Sequence, residues 1–73
     1  LYADPKSEFQ EQSQTRLSMT PSYRVLSESG PDHDKCFTAG AYIGDDLIAE
    51  GTGSSKQEAQ REAAKNALKK RGW

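Results

Sequence analysis

Six consecutive residues, Gly51-Thr52-Gly53-Ser54-Ser55-Lys56, bring together several chemically capable groups. Glycines permit close backbone approach to an anion, and the Ser54 and Ser55 hydroxyls and the Lys56 ammonium donate hydrogen bonds. Ser55-Lys56-Gln57-Glu58 also matches the capping pattern S-x-x-E, so a helix should start here with its first N–H groups lacking intrahelical acceptors. A lysine in that first turn opposes the helix dipole. It would suit a phosphate oxygen held jointly by ammonium, hydroxyls and backbone N–H groups. The same residues read equally well as an exposed helix start behind glycines that end a strand.

Other chemistries find less support. Gly51 and Gly53 lack the third glycine of a dinucleotide fingerprint and the G-K-[ST] of a P-loop. One histidine, His33, and one cysteine, Cys36, cannot complete a zinc site. Asp45-Asp46 follows Gly44, where turn propensity already accounts for two aspartates. A chain of 73 residues has no room for a hydrolytic cleft, so no catalytic residue is assigned and the fragment is not expected to be an enzyme.

Those groups need a scaffold, and length allows one domain with a thin core. Apolar residues make up 33% of the chain, with a mean hydropathy of −0.94. There is no apolar run long enough to span a membrane and no signal-peptide pattern, and the single cysteine rules out an internal disulfide. A formal net charge of −1 argues at face value against a polyanion partner. The average conceals an asymmetry. Residues 1–50 carry four basic and nine acidic residues, a sum of −5, whereas residues 51–73 carry six and two, a sum of +4. A basic C-terminal segment suits a polyanion and equally a solvated helix face.

Asp4-Pro5 reads as a helix start, with the helix running to about Leu17 before Pro21. Phe9, Ser13 and Leu17 form its one seam able to pack, while Ser7, Gln10, Glu11 and Gln14 follow i, i+3, i+4, i+7 as a polar stripe with a single charge. Residues 22–29 read as a strand with Tyr23 and Val25 half-buried, and Gly30-Pro31-Asp32-His33-Asp34 as a loop. Lys35–Ile43 is a second strand, with Phe37, Ala39 and Ala41 on one face, joined by a tight turn to a third at Leu47–Glu50. Gly51-Thr52-Gly53 should break that strand. Ala59, Ala63, Ala64, Ala67 and Leu68 then give a helix reaching about Arg71 an apolar stripe of small residues. The expected fold is α+β, a two-layer α-β-β-β-α domain with both helices on one face of a three-stranded antiparallel sheet.

In this order and spacing the pieces resemble a known family. D-P-K-S-E-F-Q-E at Asp4–Glu11, Pro21-x-Tyr23-x-Val25, Gly30-Pro31-Asp32-His33, Phe37, G-T-G-S-S-K at Gly51–Lys56, and the alanines with Leu68 are together similar to the double-stranded RNA-binding domain. Specifically, they resemble the one at the C-terminus of bacterial-type ribonuclease III. The resemblance implies a domain over residues 4–71, a linker remnant at 1–3 and a tail at 72–73. It implies that A-form RNA is gripped through three regions spanning about 16 base pairs. The first maps onto Ser7, Gln10, Glu11 and Gln14, facing a minor groove and its 2′-hydroxyls. The second is the loop with Pro31 and His33, entering the next minor groove. The third is the start of the second helix, with Ser54, Ser55, Lys56, Gln57, Gln60 and Arg61 toward phosphates across the major groove. Gln57 and Gln60 stand where the family often has lysines, so fewer phosphates should be neutralised and affinity should be modest.

The resemblance further implies a ribonuclease III-like parent, cytoplasmic and homodimeric, whose catalytic domain lies outside this chain and uses Mg2+. The isolated domain itself should be monomeric, free of cofactor and metal, and not attached to a membrane. The alternative is a protein-interaction or dimerisation module of the same fold with weak or no RNA binding. Such a module needs an exposed apolar patch, which the sequence pattern does not display.

Overall fold

The computed structural model describes residues 4–73, and the linker remnant expected at residues 1–3 lies outside the described residues. Pro5 opens helix α1 (Pro5–Leu17) behind Asp4, whose extended backbone occupies the cap position and whose carbonyl accepts the Glu8 N–H at 3.0 Å. Ser18, left-handed at φ 54°, ends the helix by donating its N–H to the Gln14 carbonyl. Strands β1 (Pro21–Ser29), β2 (Cys36–Ile43) and β3 (Asp46–Gly53) form an antiparallel sheet in that order, and helix α2 (Lys56–Arg71) follows. This is the expected two-layer α+β arrangement.

Side-chain alternation explains the core. Ala39, Ala41 and Ile43 of β2 point to one face and are buried there with Ile48 of β3. Phe9 of α1 and Ala63, Ala64 and Ala67 of α2 complete one cluster with Ala41, Ile43 and Ile48, so both helices lie on the same side of the sheet. Two β-bulges tune what each face carries. In β1 the pairing passes from Val25↔Ala39 to Ser27↔Thr38, leaving Leu26 as the extra residue. In β3 it passes from Ala49↔Ala41 to Leu47↔Tyr42, leaving Ile48 as the extra residue, and Ile48 turns into the core.

The structure departs from expectation at four places. The G-T-G segment does not break β3; Gly51, Thr52 and Gly53 pair with Ala39, Thr38 and Phe37 and carry the strand to its end. The glycines are needed because α2 crosses there. A Cβ on Gly51 would stand 2.1 Å from the Ala63 backbone nitrogen, and one on Gly53 2.8 Å from that of Ala59. Alanines on the helix and glycines on the strand therefore form one seam, pinned by Asn66 Nδ2 donating to the Glu50 carbonyl at 2.8 Å.

Leu17 does not join the seam with Phe9 and Ser13; α1 ends at Leu17, which stays 39% exposed. Val25 is exposed as well, because β1 is an edge strand and α1 packs chiefly on α2. The expected tail is the fourth departure. Gly72, at φ 72°, donates to the Lys69 carbonyl and Trp73 N–H to that of Leu68, a Schellman turn that folds Trp73 back. The Trp73 ring lies 5.8 Å from Phe9, with the Arg16 and Arg71 guanidinium groups 5.6 and 5.4 Å from its centroid. The aromatic surface that α1 lacks thus comes from the far end of α2.

Candidate nucleic-acid interface

Strand register gathers two of the three candidate regions, the β1–β2 loop and the start of α2, at one end of the sheet. Ser29↔Cys36 closes the β1–β2 loop at the end where Phe37↔Gly53 brings β3 up to the start of α2. The N-terminus of α1 reaches that end too, because Lys6 Nζ donates to Gln60 Oε1 on α2 at 2.8 Å. From there the α1 stripe runs back toward Thr20 and the opposite end of the sheet, where Pro21 pairs with Ile43, and every candidate in the three surfaces except Gln60 is exposed.

On α1, Ser7, Gln10, Glu11 and Gln14 all face solvent, opposite buried Phe9 and Ser13. The Gln14 amide donates to Thr20 Oγ1, which fixes the last member of the stripe. In the loop, Asp34 N–H donates to the Pro31 carbonyl at 2.9 Å, a turn that leaves His33 at its tip. Lys35 lies 3.0 Å from Glu28 and 3.8 Å from Asp32, so the acidic loop has a cation at its base. Exposed ion pairs of this kind contribute little to stability, but they lower the negative charge that an approaching polyanion meets.

At the α2 start Ser55 caps the helix as the S-x-x-E pattern expects, but Glu58 reaches back to Ser54 and not to the Ser55 N–H. Ser55 Oγ accepts the Glu58 N–H at 3.1 Å. The Glu58 carboxylate accepts from both Ser54 groups, backbone N–H at 3.3 Å and hydroxyl at 3.2 Å. The donors expected at Ser54 are therefore already given to a carboxylate of the chain itself. Lys56 and Gln57 stay exposed, on a helix turn whose first N–H groups have no intrahelical acceptor. Gln60 is half-buried and bonded to Lys6. Arg61 is exposed and borders a shallow depression with Asp4, Lys6 and Gln57.

Lys6 is the residue that motif reasoning passed over. It lies one turn before Gln10, between the buried and the polar sides of α1, and that i, i+4 spacing was the available signal. Its ammonium also sits 4.9 Å from the centroid of the Tyr23 ring. The Tyr23 hydroxyl is buried without a hydrogen-bond partner among the described residues. Burial, with the nearby Asp4 charge second, pushes its pKa up from 10 to about 12, so the phenol is neutral at physiological pH.

The opposite sheet face carries what the sequence pattern did not reveal. Leu26 and Leu47, 41% and 43% exposed, flank Gly40 beside Tyr42, and Arg24 covers the Tyr42 ring at 4.8 Å. The β1 bulge supplies Leu26 to this patch.

Residues 5–71 match the family described as "Double-stranded RNA binding motif". The chain is 50% identical over 68 residues to Ribonuclease 3 of Carboxydothermus hydrogenoformans, covering 93% of this chain and 29% of that protein. It is 48% identical over 65 residues to Ribonuclease 3 of Dehalococcoides mccartyi, covering 89% and 27%. Among solved structures, Dicer from Pichia stipitis superposes with a TM-score of 0.72 at 32% identity, over 90% of this chain and 32% of that one. The chain thus spans less than a third of the length of these relatives. No helix among the described residues is long and apolar enough to cross a membrane.

Proposed function

The chain belongs to the double-stranded RNA binding motif family, and from that premise we propose that it grips A-form RNA as the accessory module of a ribonuclease III-like endoribonuclease. One observation supports the reading: strand register brings the β1–β2 loop to the same end of the sheet as the start of α2, and the Lys6–Gln60 bond ties the first turn of the α1 stripe to that start, in a chain with a net charge of only −1. Shape and hydroxyl recognition need neutral donors and acceptors on a rigid frame. Phosphate recognition needs a few cations placed where the backbone passes.

The roles follow the chemistry of each group. Ser7, Gln10, Glu11 and Gln14 donate to or accept from 2′-hydroxyls and base edges in one minor groove. Pro31 shapes the loop that carries His33 into the next. Lys56, Gln57 and the α2 N–H groups meet phosphates across the major groove, with Ser55 keeping its hydroxyl proton free to donate and Arg61 adding charge one turn on. Ser54 joins them only by releasing Glu58. Cleavage and its Mg2+ belong to a catalytic part of the parent outside this chain, which acts in the cytoplasm as a homodimer, whereas the isolated domain is monomeric.

Titration with a duplex of about 20 base pairs, RNA against matched DNA at two salt concentrations, tests the reading. RNA-selective, salt-sensitive binding is expected, with Lys56→Ala weakening it and lowering the salt slope by about 0.9 for one lost phosphate contact. Equal affinity for both duplexes, or none for either, untouched by that substitution, would sink it. The alternative of a protein-docking module has one observation in its favour, the Leu26–Tyr42–Leu47 patch on the open sheet face. That patch lies on the side away from the helices and does not compete with the RNA surface.

A further inference from the structure

We propose that Lys6 is itself a phosphate-binding residue, supplying from α1 the cation that Gln57 and Gln60 leave out of the α2 surface. The inference rests on the double-stranded RNA reading and adds a contact to it. Three observations support it. First, Gln60 does not merely lack a charge; its amide oxygen holds the Lys6 ammonium at 2.8 Å, so a cation stands within one hydrogen bond of the neutral position. Second, the Tyr23 ring face, 4.9 Å from Nζ, fixes a long side chain that would otherwise sample many rotamers, so less entropy is lost when an anion arrives. Third, an ammonium has three donors and Gln60 takes one, which leaves N–H groups for a phosphate oxygen.

The electrostatic surroundings agree. Lys6 and Arg61 border the same depression as Gln57, two cations against the single carboxylate of Asp4, while Arg61 on its other side borders a second depression with Glu8, Glu58 and Glu62, which leaves Lys6 the less compensated cation. Among the described residues neither Lys6 nor Arg61 is spent on an ion pair. The depression lies between the polar stripe of α1, one turn before Gln10, and the exposed first turn of α2. A backbone running from the minor groove under α1 to the major groove under α2 passes over it.

The test compares wild type, Lys6→Gln, Lys6→Arg and Lys56→Ala in duplex-RNA binding at 50 and 200 mM salt, with a thermal melt of each. Lys6→Gln keeps a side chain able to bond Gln60 but removes the charge. It should lower the salt slope by about 0.9, so that over this salt range wild type loses about 3.5-fold more affinity than the variant. Lys6→Arg should restore the wild-type slope. If Lys6→Gln binds with unchanged slope while Lys56→Ala loses affinity, Lys6 is no phosphate contact and only this inference falls. A lowered melting temperature with unchanged slope makes Lys6 a structural tie and overturns it equally. Absence of RNA-selective binding by the wild type overturns the functional reading together with the inference.

Discussion

Helix α2 meets α1 in two unlike ways at its two ends. Near the start of α2 the long polar side chain of Lys6 reaches across to Gln60, and Ser7, Lys56, Gln57 and Arg61 around it are exposed. At the opposite end Trp73 closes on Phe9 between two arginines. Donors that are to meet RNA must remain hydrated and unspent, so they contribute little to stability. In a domain of this size, marginal by its surface-to-volume ratio, the stabilising apolar contacts fall on the buried sides of the helices, Phe9 with Trp73 and the α2 alanines, along the same turns whose outer sides carry the polar groups. Binding and stability therefore separate between the exposed and the buried sides of the helices, and substitutions on the two sides should read out differently.

The largest break is Phe9→Ala. Phe9 is fully buried at the centre of the cluster and is the principal apolar contribution of α1, so its loss should cost about 3–5 kcal/mol and leave α1 undocked. Denaturant unfolding measures this, and a cost below about 1 kcal/mol would mean the aromatic closure does not hold the helix. Trp73→Ala comes next at about 1–2 kcal/mol, since the ring is only half-buried, and lowers the melting temperature by roughly 4–16 °C. Its RNA salt slope should match wild type. A changed slope would show that the far end reaches the interface and would erase the division.

The smallest expected effect sharpens the contrast from the binding end. Tyr23→Phe keeps the ring under Lys6 and removes a buried hydroxyl that has no partner, so stability at pH 7 should be equal or slightly higher. In the wild type the folded state holds the phenolic proton up to about pH 12 and the unfolded chain only to about pH 10. The folded state thus binds more protons in that window, and stability falls as pH rises through it. Melts between pH 9.5 and 12 should show this extra loss in wild type and not in Tyr23→Phe.

Much of this was readable in the residues because it depends on local chemistry. Pro5 after Asp4, the S-x-x-E box and the alternation in β2 each specify an element with little help from the rest of the chain. The polar stripe on α1 was equally visible, since a residue's side of a helix follows from its spacing. Leu17 and Trp73 were misjudged for the complementary reason. Whether an apolar residue is covered depends on what stands across from it, and the partner of Phe9 lies 64 positions away in the chain. The Leu26 patch escaped because a bulge shifts the alternation by one residue, and no periodic pattern announces a bulge.

By itself the sequence determined the order of elements, the polar and packing faces of α1, the capped start of α2 and the concentration of positive charge in residues 51–73. These follow from interactions within one or two turns, where chain connectivity already sets the geometry. Tertiary structure decided the rest. It turned the G-T-G glycines from an anion loop into the seam where α2 meets β3, gave the Ser54 donors to Glu58, folded Trp73 onto Phe9 and brought Lys6 to Gln60. Most of these depend on distances between segments far apart in the chain, which only the packed sheet and helices set. The Ser54–Glu58 contact is short in sequence, but it is a choice among partners that opens only once the turn has formed.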